Sequence, residues 1–69
     1  MTDKEKIKIF TRLYTSEKLY LKYMIKNVNG ENEIEKYQIF EILYKSMLEL
    51  VTDLGLENDY RIYKATHNF

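Results

Sequence analysis

The sequence predicts an all-α fold: two long antiparallel amphipathic helices form a helical hairpin, and a short helical segment follows. Apolar residues recur every three or four positions through both halves of the chain. A cluster of Asn and Gly around Gly30 is the strongest turn signal, and no proline interrupts the pattern. We predict one domain over residues 1–69, with a first helix at 3–27, a turn at 28–32, a second helix at 33–54 and a helical tail at 58–66.

The first helix is predicted to begin at Thr2, because Thr2 and Glu5 have the spacing of a capping box. Glu17 falls near the centre of the apolar face of this helix. A carboxylate there needs a partner, for which Lys36 is a candidate, and it could also fix the register of a dimer. The apolar face comprises Ile7, Phe10, Tyr14, Leu21, Met24 and Val28, with Leu13, Tyr20 and Ile25 beside them.

The stretch from Lys6 to Ile9 alternates polar and apolar residues, which is also typical of a half-buried strand. With a strand there, residues 6–43 resemble a ribbon-helix-helix repressor, with a helix from Thr15 and a turn at Gly30. That resemblance implies a dimer whose paired strands enter the DNA major groove. We favour the helix, because the helical period continues through Tyr14 and the alternation does not.

Glycine and asparagine residues predict where the helices begin and end. Gly30 and Gly55 can adopt the left-handed conformation that closes a helix. We expect Asn32 to cap the second helix, with Glu35 as its capping-box partner. Asn58 is the expected start of the third helix.

The second helix carries an apolar stripe that is wider than a single neighbouring helix covers. Ile39, Leu43 and Leu50 extend it to nearly half of the helix circumference. The stripe therefore predicts a second contact, made either by the short C-terminal segment or by another copy of the chain. The residues predicted for this interface are Tyr37, Phe40, Tyr44, Met47, Val51 and Leu54, together with Glu17 on the first helix.

Residue types that carry enzyme chemistry are scarce. The chain has no Cys and a single His, at position 67, which excludes disulfides and thiolate or histidine-rich metal sites. No glycine-rich phosphate loop and no calcium-loop spacing is present. We expect no enzymatic activity, no cofactor and no metal.

The charges are unevenly distributed, although the formal net charge is zero. Residues 1–30 are basic and residues 31–57 are acidic, so the two halves can attract each other. Lys18, Lys22 and Lys26 continue a basic stripe along the outer side of the first helix. They are the candidates for contact with nucleic-acid phosphates.

These observations predict a small, non-enzymatic, cytoplasmic protein that forms a homodimer and regulates or inhibits another protein by contact. No apolar run approaches the roughly 20 residues of a membrane span. The abundance of Phe, Tyr, Met, Ile, Asn and Lys indicates an AT-rich bacterial, phage or plasmid genome. The alternative is a dimeric nucleic-acid-binding regulator, either the repressor type above or an RNA-binding helical hairpin, as in plasmid copy-number regulators of similar size and layout.

Overall fold

The computed structural model describes residues 1–67, which form three helices: α1 (Asp3–Val28), α2 (Ile34–Asp53) and α3 (Glu57–Thr66). The long helices α1 and α2 pack closely as an antiparallel hairpin. α3 packs against both of them at the end away from the turn. The predicted all-α hairpin is confirmed for the described part of the chain.

The segment from Lys6 to Tyr14 lies inside α1, so the strand interpretation and the ribbon-helix-helix resemblance are wrong. The local reason is the capping box at the start of α1. The Thr2 side chain accepts a hydrogen bond from the Glu5 backbone N–H at 3.2 Å, and the Glu5 carboxylate accepts one from the Thr2 backbone N–H at 3.2 Å. The hydrogen bond from Thr2 also holds the pKa of Glu5 below its usual value.

Left-handed glycines close both long helices, as predicted. Gly30 has φ +83° and Gly55 has φ +69°. After Gly55, the backbone N–H of Leu56 donates to the Val51 carbonyl at 2.9 Å, which is the hydrogen bond of a Schellman motif. This bond brings the Leu56 side chain onto Val51, and both are buried in the core.

The cap of α2 differs from the prediction. Asn32 is itself in the left-handed region, with φ +52°, and α2 has no side-chain cap at its first residue. The nearby Glu33 N–H is bound instead by the Asn27 side chain, whose Oδ1 accepts its hydrogen bond at 2.6 Å. Asn27 belongs to the last turn of α1, so one amide side chain joins the two helices across the turn.

The two halves of the hairpin are packed differently. At the turn end, Tyr20 stacks on Tyr37 and Tyr44 at ring-centroid distances of 5.3 and 5.4 Å, and Tyr23 stacks on Phe40 at 5.6 Å. At the other end, α3 completes a small apolar core. The buried apolar residues of this core are Phe10, Leu13, Val51, Leu56, Tyr60 and Tyr63.

Candidate functional site

Glu17 forms an ion pair with α3. The Lys64 Nζ lies 2.9 Å from a Glu17 carboxylate oxygen, and the Tyr60 hydroxyl donates to the same carboxylate at 3.5 Å. The predicted partner, Lys36, is wrong: Lys36 pairs with Glu33 at 3.5 Å. The hairpin register explains the difference, because it places Glu17 near the middle of α2, whereas Lys36 is at its turn end.

The surroundings of Glu17 show a structural role for its charge. Burial, followed by the Glu17 charge, raises the pKa of Tyr60, and burial likewise raises the pKa of Tyr44. Both phenols are therefore held neutral, and the Glu17 carboxylate is occupied by hydrogen bonds. An open cleft of about 360 Å³ lies beside this cluster. The cluster therefore holds α3 on the hairpin.

A first candidate binding surface lies on the side of the hairpin opposite α3, and we call it the open face. Its centre is an apolar groove of about 320 Å³ between the two long helices. Leu43 is 45% exposed there, while Ser16 forms part of the groove floor. The α2 side chains of the open face follow a helical spacing of three or four residues: Ile39, Leu43, Met47, Leu50 and Leu54.

A second candidate surface, which we call the turn-end patch, lies beyond the end of α3. Leu21, Ile25 and Val28 follow Tyr14 by about two, three and four helical turns, so they continue the side of α1 on which Tyr14 contacts α3. Ile34 lies close to the turn, at the start of α2. The exposed fractions are 47% for Leu21, 60% for Ile25, 82% for Val28 and 52% for Ile34.

The three lysines predicted to contact phosphates lie close to tyrosine rings of α1. The Lys18 ammonium lies 4.5 Å from the centroid of the Tyr14 ring. Lys22 and Lys26 each lie 5.6 Å from the Tyr23 ring, as cation–π contacts. Neither Lys22 nor Lys26 belongs to an ion pair within residues 1–67.

The residues predicted as an interface on α2 are divided between two sides of that helix. Tyr37 and Tyr44 stack on α1, and Val51 is fully buried, so these three are used within the chain. Phe40 and Met47 line the open face, and Leu54 is 44% exposed. Of the predicted interface residues, the open face therefore includes Phe40, Met47 and Leu54. It also includes Ile39, Leu43 and Leu50, which widen the predicted stripe.

The sequence assigned Leu21, Ile25 and Val28 to the same face as the core, but the structure exposes them. α3 has 10 residues and α1 has 26, so α3 covers only part of that face.

Within residues 1–67, no helix combines the length and the apolar character needed to cross a membrane. The same residues contain no group of three or more His, Asp or Glu side chains that could hold a metal ion. Comparisons with protein-family models, with curated proteins and with solved structures find no match to this chain.

Proposed function

We propose that the protein is a small, non-enzymatic binding protein that acts by protein–protein contact through the turn-end patch. The observation that carries this proposal is the exposure of four large aliphatic side chains, from 47% at Leu21 to 82% at Val28, at one end of the hairpin. Grouped exposed apolar residues mark interaction sites on soluble domains. Burying one such side chain fully contributes about 1.5–3 kcal/mol.

The patch is supported by rigid structure, which favours binding over nonspecific stickiness. The turn beneath it is fixed by the Asn27 cap of the Glu33 N–H and by the left-handed Gly30. The stacked Tyr20 and Tyr37 rings join the two helices next to it. A preformed surface loses less conformational entropy on binding than a flexible one does.

A chain that binds without chemistry acts by occupying a surface. The proposed partner presents an apolar face, such as the exposed stripe of a helix, to Ile25 and Val28. Covering that face would block its other contacts, which is the basis for the regulatory or inhibitory role that we propose.

The test is capture of partners from host extract by three tagged proteins. The patch variant is Ile25→Lys with Val28→Lys, and the control is Ile62→Lys, because Ile62 is 56% exposed on α3 and lies outside the patch. Lys is at least as good a helix former as Ile or Val, so both variants should fold. We expect the wild type and the control to retain one protein that the patch variant loses.

Capture of the same proteins by the patch variant and the wild type would contradict the proposal. So would a tightly captured partner that is lost only with the Ile62→Lys control. Circular dichroism of the three proteins verifies that the comparison is made between folded chains.

Nucleic-acid binding is the second candidate function, and the lysine positions favour it. Lys22 and Lys26 have no acidic partner within residues 1–67, and with Lys18 they repeat at intervals of one helical turn. Such a row can follow phosphates along one strand of nucleic acid.

A gel shift with DNA and with RNA at two salt concentrations tests this second candidate. Replacing Lys18, Lys22 and Lys26 by Gln preserves helix propensity. Phosphate binding predicts a loss of affinity by orders of magnitude and a shallower salt dependence. An unchanged shift, or none with the wild type, would remove this candidate.

A further inference from the structure

The hairpin is extended and poorly covered for a chain of its size. Its accessible surface is 5124 Å², whereas the scaling for a folded monomer of 8.4 kDa gives about 4,600 Å². Its radius of gyration is 13.2 Å, compared with about 11 Å for a compact domain of this length. Both values show that much of the elongated hairpin is not covered by another element of the chain.

The open face has opposite charges along its two edges. The edge formed by α1 carries cations, of which Arg12 lines the apolar groove itself. By helical spacing, the edge formed by α2 carries the acids Glu35 and Asp53, while Lys36, which lies on the same face as Leu54, is paired with Glu33. No ion pair within residues 1–67 includes any of these five residues: Lys8, Arg12 and Lys26 on α1, and Glu35 and Asp53 on α2.

The cations and the acids are in register along the hairpin. Tyr20 stacks on both Tyr37 and Tyr44, so it is level with the midpoint between them. Because the helices are antiparallel, equal steps back along α1 and forward along α2 reach the same level. The residues of the two edges that share a level are then Lys8 with Asp53, and Lys26 with Glu35.

We propose that a second copy of the chain covers the open face, with a two-fold axis parallel to the long helices. This operation places α1 of one copy over α2 of the other at the same level. Lys8 and Lys26 of one copy then meet Asp53 and Glu35 of the other, and the two-fold symmetry repeats both pairs on the opposite edge. Leu43 and Leu50 are enclosed between the two layers.

The alternative face-to-face arrangement turns one copy end over end and places α1 over α1. Lys8 and Arg12 would then face a cationic edge, and Glu35 and Asp53 would face an acidic one. Like charges opposed at an interface disfavour association. The charge pattern therefore selects the arrangement with α1 over α2.

Charge reversal tests this arrangement by sedimentation equilibrium. The first variant is Lys8→Glu with Lys26→Glu, the second is Glu35→Lys with Asp53→Lys, and the third combines all four changes. The control, Lys45→Glu with Arg61→Glu, makes the same charge change as the first variant away from the proposed ion pairs. Lys26 is half-buried and the other positions are exposed, so we expect the fold to survive.

We expect each double variant to raise the dimer dissociation constant at least tenfold, because acid would face acid or cation would face cation. The fourfold variant restores every opposite-charge pair, so it should dimerise within a few fold of the wild type. The control should dimerise like the wild type.

Three results would overturn the proposal: a monomeric wild type at hundreds of micromolar, double variants that dimerise normally, or a fourfold variant that stays dissociated. A monomeric wild type would leave the turn-end patch unaffected, since capture by that patch does not depend on self-association. The fourfold result separates the two arrangements, because reversal of both edges leaves α1 over α1 repulsive.

Discussion

Glu17 is the polar residue most closely tied to the packing of α3. It lies on the apolar face of α1, where its carboxylate forms an ion pair with Lys64 and accepts a hydrogen bond from the Tyr60 hydroxyl, both on α3. The Glu17 side chain is 17% exposed and the Lys64 side chain 37%, so water screens this pair less than it screens a surface pair.

A double-mutant cycle on Glu17→Gln and Lys64→Met should therefore give a coupling free energy near 1 kcal/mol, at the upper end for partly exposed ion pairs. The matched control is the more exposed pair of Lys36 and Glu33 at the start of α2, for which we expect about 0.3 kcal/mol. Urea denaturation at fixed protein concentration measures both. Equal couplings would show that Glu17 does not hold α3.

Tyr60 should make the protein sensitive to alkaline pH. Burial raises its pKa, so above the usual tyrosine pKa of about 10 the unfolded chain ionises first. The stability due to the neutral phenol is fully present below pH 10 and is lost as pH rises further.

The free energy of unfolding should thus fall less steeply above pH 10 for Tyr60→Phe than for the wild type. Lysine deprotonation affects both proteins equally, so it cancels in the comparison. Identical slopes for the two proteins would contradict the assignment.

At the scale of the helices, the connection between α2 and α3 depends on the left-handed backbone at Gly55. Nothing lies within 4 Å of a Cβ built at Gly55, so substitution there strains only the backbone. Gly55→Ala should cost about 1–2 kcal/mol, and Gly55→Asn should cost less, because Asn tolerates this conformation. Chemical denaturation measures both, and equal costs would contradict the backbone explanation.

The helix ends were predictable from signals within a few residues, whereas contacts between residues far apart in the sequence were not. The capping box at Thr2 and the glycine stops are encoded within a few residues and appear as predicted. The cap of Glu33 required knowledge that Asn27 reaches across the turn. The partner of Glu17 required the position of α3, which no local pattern specifies.

The candidate surfaces were predictable only in part, for a related reason. The helical period identified the apolar side chains of α2, and its excess width corresponds to the open face. The period could not show that Val51 would be buried by α3 while Val28 would be left exposed. That difference arises because α3 is shorter than the hairpin it packs against.

At the scale of the whole molecule, the chain has apolar surface on two sides and a small core at one end. Its net charge is zero, with the basic residues concentrated in 1–30 and the acidic residues in 31–57. In this account the open face binds a second copy and the turn-end patch binds the protein partner. The melting temperature should consequently rise with protein concentration, because dimerisation stabilises the folded chain.

The most direct test of the account is the mass of the wild-type protein in solution. Sedimentation equilibrium at tens of micromolar should give a species of twice the 8.4 kDa chain mass. A single species of 8.4 kDa at hundreds of micromolar would contradict the claim that the open face is a self-association surface.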